Sequence, residues 1–102
     1  FHVLTGERIS ADQAADWGIL ARLAEDASGL EEEVAGVVGT LLGLSPLALR
    51  TAKEVLDRGS DGPLATGVEL ERKSYAMLRS SHDFAEGVAA FTEKRRPAFT
   101  GR

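Results

Sequence analysis

The chain has 102 residues, a mass of 10.9 kDa and a net charge of −4, with 43% apolar and 27% charged residues. This length allows one small domain, and no apolar run approaches the roughly 18 residues that a membrane span needs. The lack of cysteine excludes disulfides and thiolate chemistry, and the acidic balance argues against a nucleic-acid binder. Since no leader pattern opens the chain, a cytoplasmic location is the default expectation.

The sequence of the first part of the chain predicts two short helices, each ended by a helix-breaking glycine. Segment 1–6 begins without Met and is typical of a helix reaching its terminal glycine, so we expect a piece of a longer protein. Ser10 and Gln13 stand at capping-box spacing and predict a helix start, and Gly18 is expected to close that helix. The apolar run 19–23 is predicted to be a short extended segment or simply a linker.

The strongest helical pattern is an aliphatic stripe over residues 30–43. Ser28 and Glu31 stand at the spacing of a second capping box, which predicts the start of this helix, and Gly43 is predicted to end it. The large aliphatic residues recur at spacings of one, three and four: Leu30, Val34, Val37, Val38, Leu41 and Leu42.

Two further helices are predicted in the middle of the chain. Ser45 followed by Pro46 is typical of an N-cap and a first helical position, and predicts a helix over 46–58. After a Gly-Ser-Asp-Gly break, Pro63 is predicted to open a helix that runs to about residue 79.

A last helix is predicted from a cap at Ser80, Ser81 and Asp83 to Pro97, because the residue before a proline resists helical geometry. Its aromatic and aliphatic side chains share one face at i, i+4 and i+7: Phe84, Val88 and Phe91. The predicted fold of this chain is therefore all-α, with five or six helices and at most one short extended segment.

The titratable residues form no recognisable catalytic or metal-binding pattern. Neither His2 nor His82 has a second histidine or a carboxylate at ligand spacing. Carboxylate pairs such as Asp57 and Asp61 lie on polar helix faces and are expected to be solvated. We therefore predict no catalytic residue and no metal ligand within this chain.

A series of short motifs in fixed order is more informative than any single residue. The chain carries L-T-G at 4–6, W-G-I-L at 17–20, S-P-L-A-L-R-T-A-K at 45–53 and D-F-A-E-G-V-A-A-F-T-E-K-R-R-P at 83–97. This series resembles the C-terminal part of the crotonase superfamily, the enoyl-CoA hydratases and isomerases, over essentially the whole chain. The last block is its most specific part.

The resemblance implies that residues 1–24 are the end of a crotonase-like α/β core and residues 25–102 a helical C-terminal trimerisation region. In such proteins an N-terminal spiral of βαβ-type units carries the oxyanion hole and the hydratase glutamates. The intact parent would be a lyase or isomerase acting on acyl-CoA thioesters, and this fragment alone is expected to be inactive. Coenzyme A belongs to the substrate, and no separate cofactor is expected.

The same resemblance maps Phe91 and Lys94 near the adenine end of coenzyme A. An aromatic ring can stack on a base and an ammonium can meet a phosphate, and i, i+3 spacing places both side chains on adjacent parts of one helical face. The last nine residues add a basic end, with four cations and no acid. The alternative is that Phe91 is a core residue and Lys94 a helix-end cation.

The implied partners are an acyl-CoA thioester and further copies of the parent chain, as a trimer or a dimer of trimers. No nucleic acid and no membrane are expected among them. The alternative function is a non-enzymatic helical module for oligomerisation or partner binding, which only shares ancestry with the enzymes.

Overall fold

The computed structural model describes residues 1–102, with six α-helices and no strand. The all-α class and the number of helices are confirmed, and residues 19–23 form neither helix nor strand. No helix is by itself long and apolar enough to cross a membrane, and only the helices Ala27–Leu42 and Pro46–Gly59, counted together as a bent pair, reach that length and hydropathy. The helices are α1 (His2–Thr5), α2 (Ala11–Asp16), α3 (Ala27–Leu42), α4 (Pro46–Gly59), α5 (Leu64–Arg79) and α6 (His82–Glu93).

Local capping explains the bounds of the first two helices. Gly6 follows α1 with a left-handed φ of 70°, as predicted. The Ser10 hydroxyl accepts from the Gln13 N–H at 3.1 Å, and the Gln13 side chain accepts from the Ser10 N–H at 3.1 Å. This reciprocal pair confirms the predicted capping box. Gly18, with a φ of 73°, confirms the predicted left-handed turn after α2.

Helix α3 begins earlier than the sequence pattern predicts. Its first residue is Ala27, and the Asp26 Oδ1 accepts a hydrogen bond from the Gly29 N–H at 2.7 Å. The predicted capping box that starts at Ser28 is therefore wrong. Ser28 lies inside the first turn, and the carboxylate two residues before it already satisfies a free amide at the helix start.

The aliphatic stripe on α3 lies on the surface of this chain. Its side chains are exposed, from 38% at Val37 to 82% at Leu42, and α3 contains no buried residue. Contiguous exposed aliphatic surface is typical of a region that another polypeptide surface covers.

The chain separates into two compact units, Phe1–Val38 and Gly39–Arg102. Within the second unit, α5 packs mainly along α4 and to a smaller extent against α6. Ala90 is the only buried apolar residue of the chain, at 1% exposure, and the other buried residues are polar: Ser45, Thr51 and Asp83. The predicted division after residue 24 rests on the family resemblance and stays a prediction.

Two glycines allow α4 and α5 to approach closely. A Cβ built on Gly67 would lie 3.2 Å from the carbonyl oxygen of Gly59 and 3.4 Å from its Cα. The atoms in the way are backbone, which cannot rotate aside as a side chain does. The spacing of the two helices at this point therefore depends on the hydrogen that Gly67 carries in place of a side chain.

Helix α6 starts as predicted and ends early. The Ser81 hydroxyl accepts from the Phe84 N–H at 3.1 Å, which confirms the serine cap. The last helical residue is Glu93, because Lys94 adopts a left-handed conformation with φ 55° and ψ 37°. The predicted helix end at Pro97 is therefore wrong, because α6 ends four residues before it.

Candidate functional site

An open apolar groove of about 410 Å³ lies in the second unit, and the predicted site residue Phe91 lines it. Phe91 is 87% exposed and Phe84 36% exposed, so Phe91 is not a core residue of this chain. The predicted i, i+4, i+7 face of α6 is confirmed as one wall of the groove. The other apolar lining side chains come from α4, α5 and the segment after α6: Ala48, Tyr75, Leu78 and Phe99.

The C-terminal segment returns along α6 and closes one side of the groove. A Cβ built on Gly87 would lie 3.6 Å from Cε1 of Phe99, so the Phe99 ring packs directly on the backbone of α6. Phe99 is half-buried there. The shape of the groove therefore depends on how residues 97–102 are held.

Asp83 anchors this C-terminal segment. Its carboxylate is 3% exposed and accepts from the Ser45 hydroxyl at 2.5 Å, from the Thr100 N–H at 2.7 Å and from the Gly101 N–H at 3.0 Å. Its own N–H donates to the Arg102 carbonyl at 3.0 Å. The sequence patterns indicate only a helix-start residue here, since the partners are 17 to 38 positions away.

The pKa of Asp83 reflects two opposing causes. Burial raises the pKa of this carboxyl, but the hydrogen bonds from Ser45, Thr100 and Gly101 outweigh it and hold the pKa below its ordinary value. Asp83 is therefore an ionised structural acceptor at neutral pH. It is not a proton donor, and its oxygens are already engaged inside the chain.

Glu86, within α6, and Arg95, two residues after its end, form an ion pair through two hydrogen bonds. Glu86 Oε1 accepts from Arg95 Nη1 at 2.6 Å, and Oε2 accepts from Nη2 at 3.0 Å. Glu86 Oε1 also accepts from the Ala98 N–H at 2.7 Å, and Arg95 Nε donates to Glu93 at 2.6 Å. The Arg95 guanidinium and the Ala98 amide lower the pKa of Glu86 to about 2, and Glu86 and Glu93 raise the pKa of Arg95.

Lys94, the second predicted site residue, lies just past the end of α6. The predicted shared helical face does not apply, because Lys94 is left-handed and outside the helix. The Lys94 N–H instead donates to the Phe91 carbonyl at 3.3 Å, which ties the two residues through the backbone. Lys94 is exposed, and no carboxylate pairs with its ammonium. Its role in binding coenzyme A stays a prediction.

The titratable side chains of the chain do not come together in a cluster of three or more that could hold a metal ion. His2 packs its ring 5.2 Å from that of Trp17, and His82 Nδ1 lies 3.5 Å from the Thr100 hydroxyl. His82 thus has a polar neighbour in the chain, whereas His2 Nδ1 is buried without a hydrogen-bond partner. The second unit is therefore a helical packing region with an exposed aromatic ring, Phe91, and a basic C-terminal end.

The relatives of the chain place this helical region in a family. The sequence matches the enoyl-CoA hydratase/isomerase family over residues 2–102. The chain belongs to this family. It is 35% identical over 99 residues to the probable enoyl-CoA hydratase 2, mitochondrial, of Arabidopsis thaliana, and 36% identical over 104 residues to the carnitinyl-CoA dehydratase of Salmonella typhi. These alignments cover 97% and 98% of this chain.

Solved structures agree with the sequence relatives. The enoyl-CoA hydratase of Bacillus anthracis matches with a TM-score of 0.92 and 33% identity, over 98% of this chain and 38% of that one. An enoyl-CoA hydratase subunit I structure from Geobacillus kaustophilus matches with a TM-score of 0.85 and 43% identity, over 96% and 38%. The chain spans 33% of the Arabidopsis relative and 40% of the Salmonella relative, as expected for the helical C-terminal region of a crotonase fold.

Proposed function

We propose that this chain is the helical C-terminal part of an enoyl-CoA hydratase/isomerase-like enzyme that acts on acyl-CoA thioesters. It completes the acyl-CoA pocket and contributes to the interface between subunits. The observation that carries the proposal is the family match over residues 2–102 in a chain only a third to two fifths as long as its relatives. Coenzyme A is part of the substrate, and we propose no separate cofactor.

We also propose that the chain has no activity alone. Thioester chemistry of this family needs an oxyanion hole, and preorganised donors of that kind are usually the largest single contribution to such catalysis. The family resemblance implies that those donors, and the hydratase glutamates, belong to an N-terminal spiral that precedes the matched region. The ionised carboxylates described here, Asp83 and Glu86, are engaged in structural hydrogen bonds and do not replace them.

The coenzyme A contact that we propose uses Phe91 and Lys94. Phe91 offers an exposed aromatic face to a base, and Lys94 carries an ammonium that no carboxylate of this chain neutralises. An adenine stacked on the ring and a 3′-phosphate paired with the ammonium would satisfy both groups.

The first experiment adds the purified 102-residue chain to crotonyl-CoA and follows the absorbance of the conjugated thioester. We expect no turnover above buffer. Turnover that rises in proportion to the concentration of the chain would contradict the proposal that the catalytic groups lie elsewhere.

The second experiment measures coenzyme A binding to the intact parent by titration calorimetry. Lys94→Ala is expected to weaken binding by about 0.5–2 kcal/mol, less at high salt and less for dephospho-CoA, which lacks the 3′-phosphate. Arg96→Ala, two positions further along, is the matched control and is expected to change affinity less. Equal affinity of wild type and Lys94→Ala would remove Lys94 from the site.

A second candidate function is a non-enzymatic helical module for oligomerisation or partner binding. The exposed aliphatic stripe on α3 favours it, because such a surface seeks a covering partner. Reading the gene upstream of the Phe1 codon separates the two candidates. An H-x-x-x-A-G-like oxyanion segment in frame supports the enzyme, and a native start immediately before Phe1 supports the module.

The assembly and compartment are also proposals. We propose that the intact parent is a homo-oligomer, a trimer or a dimer of trimers, without nucleic-acid or membrane partners. The relatives come from bacteria and, by their names, from mitochondria, so the cytoplasmic location stays a prediction.

A further inference from the structure

The three consecutive cations that begin the basic end of the chain, Lys94, Arg95 and Arg96, differ in how they are paired. Arg95 donates to Glu86 through both terminal nitrogens, to Glu93 through Nε, and to the Arg96 carbonyl at 3.3 Å. Neither Lys94 nor Arg96 has a carboxylate partner. The charge of Arg95 is therefore neutralised within the chain, and only its two neighbours remain available to an external anion.

Lys94 occupies a backbone conformation that normally favours glycine. It is the only non-glycine residue in the chain with a positive φ, at 55°. The Arg95 N–H donates to the Ala90 carbonyl at 3.0 Å and the Lys94 N–H to the Phe91 carbonyl at 3.3 Å, the two bonds of a Schellman turn. A Cβ makes this turn unfavourable, and such strain persists only where the surroundings hold it.

The surroundings that hold the turn converge on one carboxylate. Glu86 accepts hydrogen bonds from the Arg95 guanidinium, one position after Lys94, and from the Ala98 N–H, four positions after it. The Glu86 side chain is only 15% exposed. One acidic group thus connects the residue directly after Lys94 with the chain beyond Pro97.

We propose that Glu86 and Arg95 are positioning residues that hold Lys94 in its left-handed conformation and so set where its ammonium is presented to the 3′-phosphate of coenzyme A. The ligand in this inference rests on the proposed function. The low pKa of Glu86 is consistent with this positioning role, because the carboxylate stays ionised and keeps its ion pair with Arg95 at neutral pH.

The first test measures the turn itself, in the 102-residue chain, by NMR hydrogen exchange of the Lys94 and Arg95 amides. Glu86→Gln and Arg95→Gln are each expected to lower protection of these amides by about tenfold. Glu69→Gln, which removes an exposed ion pair with Lys73 on α5, is the matched control and should leave them unchanged. Unchanged protection in Glu86→Gln would overturn the inference, whatever the enzyme binds.

The second test measures steady-state kinetics of the intact parent with an acyl-CoA substrate. Glu86→Gln is expected to raise KM by roughly three- to tenfold with a much smaller change in kcat. In a Lys94→Ala background the same change is expected to have no further effect, because Glu86 acts through Lys94. Arg95→Lys, which keeps the charge but loses the two-point geometry, should fall between wild type and Arg95→Gln.

The outcomes separate the inference from the proposed function. An equal rise in KM with and without Lys94 would show a merely structural role and overturn the inference. A parent that does not act on acyl-CoA would contradict the proposed function and the ligand assigned here, while the exchange measurement would still decide whether Glu86 holds the turn.

Discussion

The Ser45 hydroxyl donates a hydrogen bond to the Asp83 carboxylate at 2.5 Å, across 38 positions of sequence, and joins the start of α4 to the start of α6. The same Ser45 oxygen accepts from the Ala48 N–H at 3.2 Å and so caps α4. One hydroxyl therefore caps the start of a helix and makes a tertiary contact. Its 8% exposure is consistent with both roles.

Ser45→Ala should destabilise the chain more than the comparable change at the cap of α6. Ser81→Ala removes a cap alone, for which we expect a loss of about 1 kcal/mol in the free energy of unfolding. Ser45→Ala also leaves the buried Asp83 without one of its donors, so we expect the free energy of unfolding to fall by about 2–3 kcal/mol in total. Urea denaturation followed by far-UV circular dichroism measures both. Equal losses would mean that the bond to Asp83 contributes nothing.

Stability should fall on acidification through Glu86. Its pKa is lowered from 4.5 to about 2 in the folded chain, so its contribution is complete above pH 4.5 and is lost as the pH falls from 4.5 towards 2. The lowered pKa of Asp83 acts in the same direction. We expect the urea midpoint to decrease over this range and to decrease less in Glu86→Gln. Arg95→Gln should flatten the profile in the same way, since it removes the other half of the pair.

Gly67→Ala and Gly39→Ala should change stability in opposite directions. Both glycines lie inside helices, where alanine is favoured by about 1 kcal/mol. A Cβ on Gly39 meets nothing within 4 Å, so Gly39→Ala should raise the free energy of unfolding. A Cβ on Gly67 meets the Gly59 backbone at 3.2 Å, so Gly67→Ala should separate α4 from α5 and lower it. Thermal melts of both variants measure this. Stabilisation by Gly67→Ala would show that the two helices separate without cost.

The exposed stripe on α3 should make the chain self-associate. Val34 is 52% and Leu30 is 56% exposed, and both line a shallow apolar depression in the first unit. We expect sedimentation velocity at tens of micromolar to show species larger than a monomer, and Val34→Lys to shift them towards monomer. Glu32→Gln changes the net charge equally and serves as the control. A clean wild-type monomer would contradict this prediction.

Much of the local structure follows from neighbouring residues. The caps at Ser10, Ser45 and Ser81 and the turns at Gly6 and Gly18 were predictable, because each depends on residues within four positions of one another. The apolar face of α6 was predictable for the same reason, since helical periodicity alone aligns residues three and four apart. The order of the motifs sufficed to indicate the family.

Competing local signals explain the two wrong helix bounds. Asp26 and Ser28 are both good N-cap residues, and the pattern cannot rank them, whereas in the structure Asp26 makes the bond. At the C-terminal end of α6, Pro97 predicts a helix end that lies four residues beyond the observed last residue, Glu93. Lys94 takes a conformation that its own side chain disfavours, and the next residue, Arg95, is bound by Glu86 from nine positions earlier.

The amino-acid sequence by itself determined the helices, most of their caps and the family of this protein, because those depend on short-range geometry and motif order. Only the tertiary structure decided that Asp83 and Glu86 anchor the C-terminal segment, that Arg95 is neutralised internally while Lys94 is not, and that the α3 stripe is exposed. Asp83 meets Ser45 across 38 positions and Glu86 meets Ala98 across 12, so these contacts form only when distant parts of the chain have packed. The exposure of the α3 stripe depends on which surfaces the rest of the chain covers, which helical periodicity does not determine.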